Sequence, residues 1–491
     1  MIKGIFRKSV LATALFGTTA IFSAVAIAGQ APESASAKDI PISSHDRVYL
    51  SDQSSNTVSV FDPATESLLG VIRLGDPTPG NLSPLYKGQL LVHGMGFSPD
   101  HATLDVVSIG SNSVTFIDTA TNRVKHTTYV GRSPHEAFFT PDGKEVWVTI
   151  RGEDYIQVLD GKTYEPTKKI MVPNGPGMTI FSPDGKYGYV VSSFTPDMVV
   201  IDTKSHKIVG HVKQASPFSP DLAATPDGGQ VWLTLKDIGK TQVINAHPPF
   251  NTLAVLDTGP ITNHVNIARN ANGQFAYVTV GGLNEVKVFT TTDKPKLVAT
   301  IPVGALPHGL WPSGDGTRIY VGLENGNGVA IIDTLNNKVT GTVASGQSPQ
   351  GMVYVPNAVP VGAGTENLLP LANVGSAIKL TMGPSGSQQV STTVSINNQG
   401  LLDLMQVAVT GIEPKKPYML ALSTQPDGAG SLEPLAKFVG NPAGAAIIST
   451  LGPLRKAVDK DLPADAAQRR YLVIAKLTSE GKPEEVVQVQ H

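Results

Sequence analysis

The sequence predicts an all-β protein: a seven-bladed β-propeller closed by N- and C-terminal strands in one blade, followed by a small β-sandwich domain. Three observations predict it. A Pro-Asp-Gly turn signature recurs after apolar pairs, a β-strand ending in Asp, Asn or Thr occurs in seven copies, and the repeat both starts and stops in mid-unit. The 49 glycines and 37 prolines, set against few long apolar helical patterns, favour short strands joined by many turns.

Taken in order, the chain opens with Lys3, Arg7 and Lys8, an apolar stretch from Leu11 to Ile27 and the small-residue site Ala26-Ile27-Ala28. That layout predicts a secretory signal peptide over 1–28, and so a periplasmic or secreted protein without an integral membrane segment after cleavage. Removing three cations takes the formal net charge from −2 to −5. A flexible segment over 29–45 is expected to follow. Cysteine is absent, which excludes disulfides, thiolate nucleophiles and covalent c-type haem. Nothing resembles a basic nucleic-acid footprint.

The propeller is expected over 46–356. Its turn signature reads Phe139-Thr140-Pro141-Asp142-Gly143, Phe181-Ser182-Pro183-Asp184-Gly185 and Ala224-Thr225-Pro226-Asp227-Gly228, with degenerate copies at Asn270 to Gly273 and Ser313 to Gly316. Proline presets φ and glycine accepts positive φ, so each copy reads as a hairpin tip. An alternating strand follows each tip, as in Val146-Trp147-Val148-Thr149 and Tyr277-Val278-Thr279-Val280. The third strand then ends at Asp62, Asp118, Asp160, Asp202, Asn245, Thr290 and Asp333, in steps of 56, 42, 42, 43, 45 and 43 residues. The long first step holds a Pro/Gly-rich insertion near Asp76 to Lys87. Four short strands per unit of this length make a propeller blade. Arg47 to Leu74 lacks an innermost strand, and Gln350 to Val355 supplies one, so pairing the two closes the ring and removes an open edge.

With Tyr277-Val278-Thr279-Val280 and its companions in view, the chain resembles the YVTN-repeat β-propeller family over about Asp46 to Pro356, within the lactonase-like and haem-d1-like propeller superfamily. The resemblance implies the fold. It leaves the chemistry open, because related propellers include lactonases, haem d1 domains, copper-bearing reductase domains and surface-layer adhesins.

A Pro/Gly-rich linker is expected over 357–372 and a β-sandwich accessory domain over 373–491, from alternating stretches at Gln389 to Ser395, Leu404 to Val409, Tyr418 to Leu422, Ala445 to Ser449 and Tyr471 to Leu477. The run Pro417 to Leu422 followed by Leu435-Ala436-Lys437-Phe438 is similar to the extracytoplasmic sandwich domain of certain anti-sigma factors. That likeness implies a sandwich and no signalling role.

Candidate chemistry follows from the repeat arithmetic. His93, His135 and His308 each lie eight residues before the turn-glycine position of their unit, and His264 lies nine before Gly273. Gly177, Asp221 and Gln350 occupy or adjoin the same position elsewhere. These residues should surround one mouth of the central channel, joined by Arg151, Glu153, Asp154, Asp197, Asn284, Glu285 and Glu324 from the loops between second and third strands. His93, His135, His264 and His308 could hold a divalent metal. His93, His135, Asp221, His264, His308, Gln350 and Arg151 could equally bind a small ligand, or form a solvated structural ring. Arg151 would hold an anion or pair with Glu153 or Asp154.

No Gly-x-Ser-x-Gly elbow, cysteine nucleophile or phosphate-cradling loop is present. The leading expectation is a monomeric, non-enzymatic binding scaffold for a small molecule, ion or protein partner. The alternatives are a lactonase-like or metal-dependent enzyme using the channel histidines, and a cell-surface adhesin. No catalytic residue and no cofactor beyond a possible divalent metal is assigned.

Overall fold

The computed structural model describes residues 39–491, apart from 77–82, 84, 375, 459–462 and 464–465. The expected signal peptide lies outside the described residues, as does the centre of the insertion near Asp76.

Each hairpin tip forms for the reason its sequence suggests. At the turn from Thr140 to Gly143, Thr140 Oγ1 donates to Asp142 Oδ1 at 2.8 Å, the Gly143 amide donates to Thr140 O at 2.8 Å, and Gly143 adopts φ +69°. Ser313 and Asp315 repeat the side-chain bond at 2.7 Å. The hydroxyl and the carboxylate thus fix the loop locally, and the glycine takes a backbone conformation that L side chains resist.

Seven four-stranded antiparallel sheets result. Their innermost strands, in blade order, are Pro349–Val355, Val92–Phe97, Pro134–Phe139, Pro176–Phe181, Leu222–Ala224, Thr262–Asn270 and Pro307–Pro312. Six of these blades are continuous in sequence. Blade 1 is shared: Pro349–Val355 pairs antiparallel with Arg47–Asp52, matching Met352 to Leu50, Val353 to Tyr49 and Tyr354 to Val48. The ring is therefore closed as the sequence predicts. All of these partners are buried, so closure joins apolar packing to a hydrogen-bonded ladder. Innermost strands such as Pro134–Phe139 are buried along their length, whereas outermost strands such as Pro166–Met171 show mostly exposed residues.

Asp52 ends the second strand of blade 1 in a fully buried position, its Oδ2 accepting from Thr57 Oγ1 at 3.0 Å and Ser59 Oγ at 2.8 Å. Burial outweighs these bonds and pushes its carboxyl up to about 8. Between an ordinary aspartate value near 3.8 and about 8, the folded chain holds a proton that the unfolded chain releases. Its contribution to stability is thus present below 3.8 and is lost as pH rises through that window, on the order of 4 kcal/mol by pH 7. Asp52→Asn keeps both acceptor bonds without the titration. Chemical denaturation at pH 5 and pH 8 should show the variant gaining on the parent as pH rises; an equal difference at both would contradict the assignment.

After Val355 the chain climbs the outside of blade 1. Leu369 and Val71 exchange both backbone bonds at 2.9 Å, and Asn122 Nδ2 donates to Gly364 O and Glu366 O at 3.0 Å. The C-terminal part is a single eight-stranded antiparallel sheet from Ala377–Gly383 to Pro483–Gln490. It curls until Leu432–Val439 and Ala446–Gly452 approach each other, around a core that includes Met382, Ile396, Met405, Tyr418, Leu420 and Ile474. The expected sandwich is thus one sheet folded over its own core.

This domain sits on the face of the propeller that carries the loops between second and third strands. Asn325 Nδ2 donates to Thr393 O at 3.1 Å, Asn397 Nδ2 to Ser348 Oγ at 3.0 Å and Gln399 Nε2 to Ser54 O at 2.7 Å. Ile261 and Leu306 of the propeller form a small apolar cluster with Ala408 and Ala445. Contacts to it come from blades 5, 6, 7 and 1, and among the described residues no hydrogen bond reaches it from the loops of blades 2, 3 and 4 on that face.

Candidate functional site

Every innermost strand of blades 2, 3, 4, 6 and 7 shows the same irregularity at its entry. Register breaks between Val92 and Met95, Pro134 and Ala137, Pro176 and Thr179, Thr262 and Val265, and Pro307 and Leu310. A bulge of this kind cancels the strict in-and-out alternation of a strand, so successive residues can both face the axis. His135 and Glu136 are the result. Gly94 makes the necessary room, since a Cβ there would meet Glu136 Oε2 and His135 O closer than real atoms approach.

The four histidines meet. Ring centroids lie 4.6 Å apart for His93 and His135, 4.5 Å for His264 and His308, and 6.1 Å for His93 and His308. All four are buried, against the expectation of a wet rim, because the bulged entries draw them below the loops and the C-terminal domain overhangs half the mouth. Their contacts fix much of the proton arrangement. His135 Nδ1 donates to Gly177 O at 2.8 Å and His308 Nδ1 to Gln350 O at 3.3 Å, since a carbonyl only accepts. His264 Nδ1 faces Asp221 Oδ1 at 3.3 Å, and its Nε2 is buried without a hydrogen-bond partner. His93 Nε2 stands 3.0 Å from His135 Nε2, with its Nδ1 3.0 Å from Gln53 Nε2.

Electrostatics keep this cluster neutral. Burial, then Arg151, hold His93 and His135 well below the usual imidazole value; burial, reinforced by neighbouring His308 and Lys236, does so for His264, and burial followed by Lys236 for His308. Burial raises Asp221 against the Val265 amide that donates to it at 2.7 Å, and raises Glu136 with help from Asp221. Below the histidines, Glu136, Asp221, His264, Trp311 and Met352 line a cavity of about 20 Å3, room for about one water molecule.

Two cations face the cluster from the loops. Arg151 carries its guanidinium over the Phe218 ring, 5.4 Å from the centroid, and pairs with neither Glu153 nor Asp154 among the described residues. Desolvation brings Lys236 down to about 8, with Glu324 opposing. On the uncovered side of the mouth, Ile109, Arg132, Ser133, Arg151, Asn174 and Phe194 line an open pocket of about 380 Å3.

The other expected residues scatter. Gln350 is buried beside Glu324, whose Oε1 accepts from Gln406 Nε2 of the C-terminal domain, and Gln350 Nε2 has no hydrogen-bond partner among the described residues. Glu153 accepts from the Arg132 amide at 2.9 Å, Asp197 pairs with His211 at 3.0 Å, and Glu285 with Lys287 at 3.5 Å. Asn284 caps a short loop and accepts from the Leu306 amide at 2.9 Å, and Asp154 is exposed. Sequence reasoning missed Glu136, Lys236, Arg132 and Gln53. Glu136 was hidden by the alternation rule that the bulge breaks; Lys236 occupies the loop position equivalent to Arg151 and was legible from the repeat.

A seven-bladed propeller with a buried axial cluster of histidines, carboxyls and two loop cations defines the class. Residues 111–361 match the family described as lactonase, 7-bladed beta-propeller, and the chain belongs to that family. No curated protein matches it. Among solved structures it resembles a functionally unknown protein from Desulfotomaculum acetoxidans at 15% identity and TM-score 0.52, covering 62% of this chain and 98% of that one. It also resembles the periplasmic gluconolactonase PpgL of Pseudomonas aeruginosa at 18% identity and TM-score 0.50, over 63% and 99%. Hydrazine synthase of Kuenenia stuttgartiensis matches at 20% identity and TM-score 0.49, over 56% and 94%. These likenesses are of fold.

Proposed function

We propose that the protein is a periplasmic or secreted binder of a small hydroxyl-rich acid, an aldonate, and of its neutral lactone, held at the channel mouth. One observation carries the reading: the charges of Arg151 and Lys236, from loops of blades 3 and 5, both bear on His93 and His308 and help keep them neutral. A guanidinium and an ammonium facing uncharged imidazoles attract a carboxylate, and a partly desolvated setting strengthens that attraction. Arg132, Asn174 and Ser133 add donors along the pocket, Phe194 adds an apolar wall, and Phe218 backs the Arg151 guanidinium.

Family membership favours a second step at the same mouth, opening of the lactone ring. In that step water adds to the lactone carbonyl carbon, its proton passes to a neutral imidazole of the cluster, and the developing oxyanion is met by Arg151. The ring C–O bond then breaks and the leaving alkoxide takes that proton from the imidazole, giving the hydroxy acid.

Calorimetric titration with gluconate tests the binding. Arg151→Ala should weaken it by about 10- to 100-fold, the worth of a charge-assisted bond. Affinity should also fall as pH rises through about 8, where Lys236 loses its proton. No gluconate, phosphate or gluconolactone binding at about 10 mM, far weaker than metabolite affinities, would overturn the proposal. A pH-stat assay with gluconolactone tests ring opening: a rate no faster than the spontaneous one, or one unchanged in Arg151→Ala, would remove the second step.

A further inference from the structure

We infer that His93, His135 and Glu136 form a binding site for one divalent first-row transition metal ion. One donor atom from each lies within 4.8 Å of the other two, and all three side chains are buried. Two imidazoles and a carboxylate are a donor set that such ions bind with positions left open.

The hydrogen bonds around the cluster are of the kind that orients metal ligands. His135 donates its Nδ1 proton to Gly177 O, which leaves Nε2 with a free lone pair aimed at His93 Nε2, 3.0 Å away. Two nitrogens bound at about 2.1 Å on adjacent positions of one ion stand about 3 Å apart. The question is what lies between these two nitrogens, and Gln53 decides it. If its Nε2 donates to His93 Nδ1, then His93 Nε2 carries a proton and donates to His135, and no ion is needed. If the amide is turned, its Oε1 accepts a proton from His93 Nδ1, and two lone pairs face each other at 3.0 Å. The heavy-atom positions of an amide fit both orientations. The second arrangement calls for a cation beside the two nitrogens, a metal ion or a shared proton, and metal titration separates the two.

An independent observation favours the metal. His264 Nε2 is buried without a hydrogen-bond partner, its Nδ1 is turned to Asp221, and the ring packs through His308 toward His93. The small cavity that His264 and Glu136 both line has room for about one water, and a water held there by the ion would give this nitrogen a partner. His264 and His308 therefore stand around the site, and His93, His135 and Glu136 supply its direct donors.

The test uses untagged full-length protein stripped by chelator and titrated with Co2+ alone. One equivalent should bind more tightly than about 10 µM, with visible d–d absorption, and be displaced by Zn2+. His135→Ala should abolish the absorption. Gln53→Ala, which leaves all donors in place, should weaken Co2+ binding about 10- to 100-fold by freeing the His93 ring. Absence of d–d bands at about 1 mM Co2+, well beyond the range of built sites, would overturn the inference. So would bands that persist in His135→Ala, or, should that variant fail to fold, unchanged affinity in Gln53→Ala. Because the readout is the metal alone, it succeeds or fails independently of gluconate binding.

Discussion

Val353→Asp is expected to abolish cooperative folding of the propeller at neutral pH. Val353 is fully buried in the strand that closes blade 1, opposite Tyr49. A carboxylate there would have to be desolvated beside an apolar neighbour set, at a cost of several kcal/mol. Domain stability is typically about 5–15 kcal/mol, so one such insertion consumes much of it. Opening the ring adds to the loss, since Arg47–Asp52 would then lie at a free sheet edge on its inner side. Circular dichroism melts and amide exchange at Tyr49 and Leu50 read the effect directly. Val353→Ala is the control: it loses about 1.5–3 kcal/mol of burial at most and should still melt in one transition. A Val353→Asp protein with parental melting would show that the closing strand is dispensable.

Trp147→Ala should cost about 3–5 kcal/mol in a denaturant titration, the range for removing a large aromatic from a packed core. The indole is wholly buried, lies 5.1 Å from the Phe181 ring in the neighbouring blade, and donates from Nε1 to Glu145 Oε2 at 2.9 Å. Gly188 is fitted to it, because a Cβ at that position would stand 2.8 Å from the indole Cζ3. Gly188→Ala should therefore destabilise the parent and be nearly silent in the Trp147→Ala background, where the obstructing ring is gone. Additive losses would mean that the blade 3 and blade 4 seam does not depend on this contact.

The propeller was legible because its signals are local and repeated. Thr140-Pro141-Asp142-Gly143 carries its own hydroxyl-to-carboxylate bond and its own positive-φ glycine, so the turn could be read without knowing the neighbours. The seven third-strand endings gave the blade count, and the unpaired segments at Arg47 and Gln350 gave the closure. The convergence of His93, His135, His264 and His308 also followed, since equal places in a repeat become neighbours around an axis. Their depth did not. It depends on bulges at the strand entries and on a second domain overhead, and neither leaves a periodic mark. In the C-terminal domain, five strands matched alternating stretches, but Ala377–Gly383, Leu432–Val439 and Pro483–Gln490 were not among them. Pro483, Glu484 and Glu485 open the last of these strands with exposed polar positions, which mask its apolar face.

The shared blade also sets an order of events during synthesis. Residues Arg47–Asp52 leave the ribosome among the first of the propeller, yet their partner Pro349–Val355 is about 300 residues behind them. Six blades can assemble as each hairpin emerges, while the seventh waits, its inner edge unpaired, until nearly three quarters of the chain has been made. Any factor that keeps the nascent protein soluble or export-competent therefore has a defined target, the strand edge at Val48 and Leu50. Its work ends when Tyr354 arrives.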